Sequence, residues 1–125
     1  MSRALFLLLP LCLAACADQE YVSATLAPVP PLDMLTRMAI PAEDDTVAKA
    51  AAFLLEPTGY HLAEGCSSCP VEAREIGEKP VSPLALRPQL TSIRRALILV
   101  GGSRTRIIVD QNNRRIAYAW NGARP

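Results

Sequence analysis

The most regular hydrophobic pattern in the chain lies in AEDDTVAKAAAFLLEPTG, residues 42–59. There Val47, Ala50, Ala51, Leu54 and Leu55 recur at i, i+3, i+4, i+7 and i+8, the spacing of one apolar helix face. Asp45 or Thr46 offers a side-chain oxygen to cap the free amides, Glu43 and Asp44 suit the positive end, and Pro57 with Gly59 stops the helix. A second stripe, Ile93, Leu97 and Val100, predicts a helix within residues 83–102, centred on 91–100. Arg94 and Arg95 lie off that stripe, and Gly101-Gly102 ends it.

Alternation marks the other elements. Met38 and Ile40 in TRMAIP, residues 36–41, predict a first strand closed by proline. YHLAE predicts a short strand with Tyr60 and Leu62 on one face and His61 on the other. VEAREIGEKPVS, residues 71–82, reads as a further extended segment broken by Gly77 and Pro80, although Pro70 also suits the first position of a short helix. Ile107 and Val109 alternate, residues 111–114 turn the chain, and Ile116, Tyr118 and Trp120 return along one face as a hairpin. The order strand, helix, strand, strand, helix, strand, strand predicts an α+β domain of two helices packed on short, mostly antiparallel sheets.

The N-terminus has a different pattern. After MSR comes ALFLLLPLCLA, an apolar run too short to span a bilayer and followed by small residues. Its end, LAAC, resembles the bacterial lipobox, which implies cleavage before Cys16 and a diacylglycerol on that cysteine's sulfur. Each buried CH₂ contributes about 0.8 kcal/mol, so several acyl chains hold a protein on a membrane without crossing it. Ala17 follows the cysteine where an aspartate would favour inner-membrane retention, so the resemblance points to the outer membrane, with the domain facing the periplasm; Asp18 comes one place later. On this reading residues 1–15 are a leader, 16–35 a tether stiffened by Pro28, Pro30 and Pro31, 36–121 the domain and 122–125 a tail.

Charge adds an asymmetry. The 125 residues carry 13 basic and 12 acidic side chains, net +1, in a chain sized for one small core. Residues 16–86 hold 11 acids against 4 bases, whereas residues 87–125 hold 8 arginines and only Asp110. Arg94, Arg95, Arg104, Arg106, Arg114 and Arg115 are therefore candidates for an arginine face toward a partner. The alternative is that the two halves neutralise each other within the fold. Few aromatics and an envelope location argue against nucleic acid.

The candidate chemistry centres on GCSSCP, where Cys66 and Cys69 stand three apart. A zinc site needs at least three protein ligands, and with His61 the pair supplies three at most, with no second C-x-x-C. A thiol oxidoreductase needs its first cysteine at a helix N-terminus, and the βαβ setting of a thioredoxin-like motif is absent from the pattern. An oxidising compartment favours the third reading, a local disulfide between Cys66 and Cys69. Nothing else suggests catalysis or a cofactor. His61 is the lone histidine and no nucleophile turn flanks it, Gly101-Gly102 follows a helix instead of opening one, and the acids at 43–45 suit capping.

Two stretches carry a resemblance. IPAEDDTVAKAAAFLLEPTGYHLAE and KPVSPLALRPQLTSIRRALILVGGSRTRIIVDQNNRRIAYAW are similar to the first N-terminal domain of secretins and the related short domain of TonB-dependent transducers. Closer still, they resemble PilL-type lipoproteins of integrative and conjugative elements, associated with a conjugative type IV pilus; DotD/TraH-type lipoproteins share this kind of fold. The likeness spans residues 37–120, and the GCSSCP insertion lies outside the family pattern. It implies a non-enzymatic assembly component of a pilus or secretion apparatus, acting through protein contacts and open to a ring-type oligomer. The other function classes the sequence admits are a periplasmic thiol-disulfide protein using Cys66 and Cys69, and a ligand-gated signalling domain.

Overall fold

A computed structural model describes residues 27–124. Cys16, the leader and the first part of the tether lie outside the described residues. The elements are β1 (Leu35–Met38), α1 (Val47–Leu55), β2 (His61–Leu62), α2 (Glu72–Glu78), β3 (Gln89–Ser92), α3 (Ile93–Gly101), β4 (Thr105–Asp110) and β5 (Arg115–Trp120). They form a small α+β domain with three helices and two sheets. β1 and β3 make a two-stranded antiparallel ribbon; the other sheet has the order β2-β5-β4, with β5 parallel to β2 and antiparallel to β4.

The predicted stripes make the core. All five positions of the α1 stripe, Val47, Ala50, Ala51, Leu54 and Leu55, are buried, and the Thr46 hydroxyl caps the helix by accepting from the Lys49 amide at 3.3 Å. Gly59 takes φ 77° where the chain turns out of that helix, a conformation glycine adopts without penalty. From α3, Ile93, Leu97 and Val100 face α1, and the core closes on Met38 from the ribbon and on Ile116, Tyr118 and Trp120 from β5. The Tyr118 hydroxyl, buried at 1% exposure, donates to the Leu97 carbonyl at 2.6 Å. Lacking water, its phenolate is strongly disfavoured and the pKa is pushed far above the ordinary tyrosine value.

Three expectations need correction. Residues 71–82 are not an extended segment: α2 occupies Glu72–Glu78, so the domain has three helices, not two, and a helix separates the second strand from the third. Ala73, Ile76 and Gly77 are buried at helical spacing, and a side chain at Gly77 would run into the Glu64 carboxylate and press tightly on Ala48 of α1. That glycine is a close-approach point, where the sequence suggested a breaker.

The third strand is instead β3, in residues expected to lead into the second helix. Pro88 disfavours helical backbone just before it, and the Ser92 hydroxyl accepts from the Arg95 amide at 3.2 Å, fixing the start of α3 at Ile93. The domain also begins before residue 36. Leu32, in a short 3₁₀ turn, is buried in the core at 2% exposure, and β1 starts at Leu35.

Candidate functional site

The Cys66–Cys69 loop sits where one edge of β5 changes its covering. Even-numbered residues of β5 turn their backbone toward β2, as the bonds from His61 N–H to Arg114 O and Ala63 N–H to Ile116 O establish. Beyond Ala63 the chain leaves the sheet. The Cys69 amide bonds the Cys66 carbonyl at 3.0 Å, the disulfide closes this turn at a Cα separation of 5.0 Å, and α2 follows after Pro70.

α2 then covers the rest of that edge. The Glu72 carboxylate accepts from the Trp120 amide at 3.4 Å, and the Lys79 ammonium stands 4.8 Å from the centre of the Trp120 ring, a cation–π distance. The clip therefore redirects the chain from strand to helix. Cys66 is in a turn, ahead of any helix N-terminus. His61 is an exposed residue of β2, and among the described residues no three His, Cys, Asp or Glu side chains are grouped to hold a metal ion.

The disulfide also rims a groove on the outer face of the three-stranded sheet. Ala63, Cys66, Cys69, Ile108, Asp110 and Arg115 line a cavity of about 250 Å³, below the roughly 300–1,000 Å³ usual for small-molecule sites. These residues come together through register: Asp110 faces Arg115 across the hairpin and Ile108 faces Ala117. Asp110 also closes the hairpin turn, accepting from the Asn113 amide at 3.2 Å and the Asn113 side chain at 2.7 Å, and these donors lower its pKa from the ordinary value.

The six candidate arginines do not gather in one place. Arg104 and Arg106 stand at the start of β4, while Arg114 and Arg115 stand at the start of β5, the opposite end of the hairpin, roughly 17 Å away along a six-residue strand. Arg106 donates through Nε to the Trp120 carbonyl at 3.3 Å, and Arg114 holds the positive φ of 51° that the turn requires. On α3, Arg94 pairs with Asp33 at 3.1 Å and Arg95 is exposed.

An apolar surface that the sequence did not suggest lies on the two-stranded ribbon. Leu35 and Leu90 are each 71% exposed. Because Thr36 faces Thr91 and Arg37 faces Leu90, the two leucines are diagonal neighbours on the solvent side. Leu84 and Leu86, in the 3₁₀ turn leading to β3, are also exposed. The signal available was Leu84, Leu86 and Leu90, all at even positions of LALRPQL, with Ala85 the one apolar residue at an odd position to form an opposite layer.

Among the described residues, no helix is long and apolar enough to cross a membrane. Comparison with family models, with curated proteins and with solved structures found no match.

Proposed function

We propose that this chain is an envelope lipoprotein whose α+β domain is a docking part of a pilus or secretion apparatus. On this reading Cys16 carries the lipid, the proline-rich segment sets the domain's distance from the outer membrane, and the domain contributes a surface instead of an active site. The observation that carries the docking role is the pair Leu35 and Leu90, neighbours and largely uncovered on the ribbon. Isolated apolar side chains are common on protein surfaces, but neighbouring ones rimmed by Arg37 and Ser92 resemble an interface core with a polar rim.

The resemblance to secretin N-terminal domains supports the kind of apparatus, and the two small sheets are compatible with it. The LAAC sequence supports the anchor. Co-purification from detergent-solubilised membranes tests the reading. The full chain should bring down components of an envelope machine, and Leu35→Arg with Leu90→Arg should lose them while retaining the melting temperature. Recovery of the wild-type chain alone, or equal recovery by both, refutes it.

A further inference from the structure

We propose that β4 is a self-complementary edge and that two copies of this chain pair antiparallel through it, about a two-fold axis at Ile108. The hairpin alone supports this pairing, whatever assembly the chain serves.

β4 is the outer strand of its sheet, and its free side is fixed by the register. Since β5 turns residues 114 and 116 toward β2, its odd residues bond β4 through Arg106, Ile108 and Asp110. The Asn121 amide on the Arg104 carbonyl, at 2.7 Å, continues that alternation. Ile107 and Val109 therefore direct their N–H and C=O groups away from β5, and among the described residues no other strand meets them. Such an edge is a template for another strand.

The side chains select the partner. On the outer face β4 reads Arg106, Ile108, Asp110: a cation, an apolar residue 38% exposed, an anion. Antiparallel pairing centred on Ile108 sets Ile108 against its own copy and Arg106 against Asp110 twice over. These fall at non-hydrogen-bonded positions, where side chains approach most closely.

The same register makes Ile107 and Val109 the hydrogen-bonded partners, joining the free groups in about four backbone bonds. On the inner face it lays Ile107 on Val109, two residues already packed against the core. Sliding the pairing by two residues sets Ile108 against Arg106 or against Asp110. Parallel in-register pairing sets Arg106 beside Arg106. One arrangement satisfies both charge and apolar contact, and it is the isologous one that closes as a dimer.

A single edge is a small interface, so the dissociation constant should fall on the order of 10–100 μM. Sedimentation velocity of the full chain in detergent, over that concentration range, should show a monomer–dimer equilibrium. Arg106→Asp alone and Asp110→Arg alone each place like charges together and should weaken dimerisation by more than about tenfold. An equimolar mixture of the two variants restores both opposite-charge pairs and should recover the dimer as a heterodimer. Arg106→Asp/Asp110→Arg in one chain should recover it as a homodimer.

With oxidised glutathione added as the two-electron acceptor, the Ile108→Cys variant should form a covalent dimer whose disulfide joins position 108 of the two copies, found by peptide mass spectrometry, since strand pairs of this kind bring Cα atoms to about 4.5 Å. Unchanged melting temperatures certify that the variants fold. A wild-type chain that stays monomeric across the range, charge variants that dimerise as well as wild type, or a mixture without rescue each overturn the proposal.

Discussion

Replacing Tyr118 by phenylalanine should reverse its effect on stability between neutral and alkaline pH. The hydroxyl is buried and donates to the Leu97 carbonyl at 2.6 Å. Removing it deletes one good hydrogen bond, and the variant should be about 1 kcal/mol less stable at pH 7. In the unfolded chain Tyr118 loses its proton near the ordinary tyrosine pKa of 10.0, but in the folded chain burial holds the proton on well beyond that.

Above pH 10 the unfolded state therefore binds fewer protons than the native state, and wild-type stability falls by up to about 1.4 kcal/mol per pH unit from this residue alone. The loss begins near pH 10 and continues until the folded-state pKa is reached. Phenylalanine has no proton to lose. By pH 11.5 the wild type has given up roughly 2 kcal/mol through Tyr118, more than the hydrogen bond contributes, and the variant should be the more stable protein. The crossing should come between about pH 10.5 and 11.

Urea unfolding followed by the fluorescence of the single tryptophan, Trp120, measures both proteins at each pH. Other titrating groups are common to the two and cancel in the difference. A difference that stays constant from pH 7 to pH 11.5 would refute the burial argument.

Three further outcomes follow from the packing. Gly101→Ala should destabilise by about 1–3 kcal/mol in thermal melts, because the new Cβ would run into the Thr105 hydroxyl and lie 2.8 Å from the Tyr118 ring; Gly77→Ala should be far milder, since its main clash is with the movable Glu64 carboxylate, and equal costs would contradict the packing. Reducing the Cys66–Cys69 bond should lower stability by about 2 kcal/mol in urea titration, the loop-closure value for so short a ring. Thr46→Ala should cost about 1 kcal/mol by the same measurement, the loss of the cap on α1; Thr46→Ser should restore it.

What was legible in the sequence depended on whether one element carried its own signal. α1 has an uninterrupted apolar stripe, a cap and a stop, and all three act as expected. The β4–β5 hairpin shows itself through alternation on both sides of a polar turn. α2 does not, since its buried face is only Ala73, Ile76 and Gly77, and the glycine makes sense only beside Ala48 and Glu64. β3 was hidden for the opposite reason: its large apolar side chain, Leu90, faces solvent while Thr91 faces in, which inverts the usual strand pattern.

The site divides along the same line. Three-residue spacing brought Cys66 and Cys69 forward as a pair, and the compartment implied by the N-terminal run, not the spacing, favoured a disulfide between them over a metal or redox site. The groove beside them needs Ile108 and Asp110 from β4, Arg115 from β5 and Ala63 just past β2, and only register assembles it.

The charge asymmetry falls between these extremes. One explanation was that the acidic first part and the arginine-rich last part neutralise each other. Of the ion pairs among the described residues, Arg94–Asp33 and Arg124–Glu75 do join the two parts, whereas Lys49–Asp45 and Arg74–Glu78 are single-turn contacts. All are solvent-exposed pairs, worth about 0–1 kcal/mol each. The hairpin arginines, Arg104, Arg106, Arg114 and Arg115, enter none of them.

Mutual neutralisation thus accounts for the arginines of α3 and the C-terminus in part, and for those of the hairpin not at all. Along β4 the arrangement of charge matters more than its amount, because a cation and an anion two residues to either side of Ile108 make that strand complementary to itself. A run of arginines alone would make it repel its own copy.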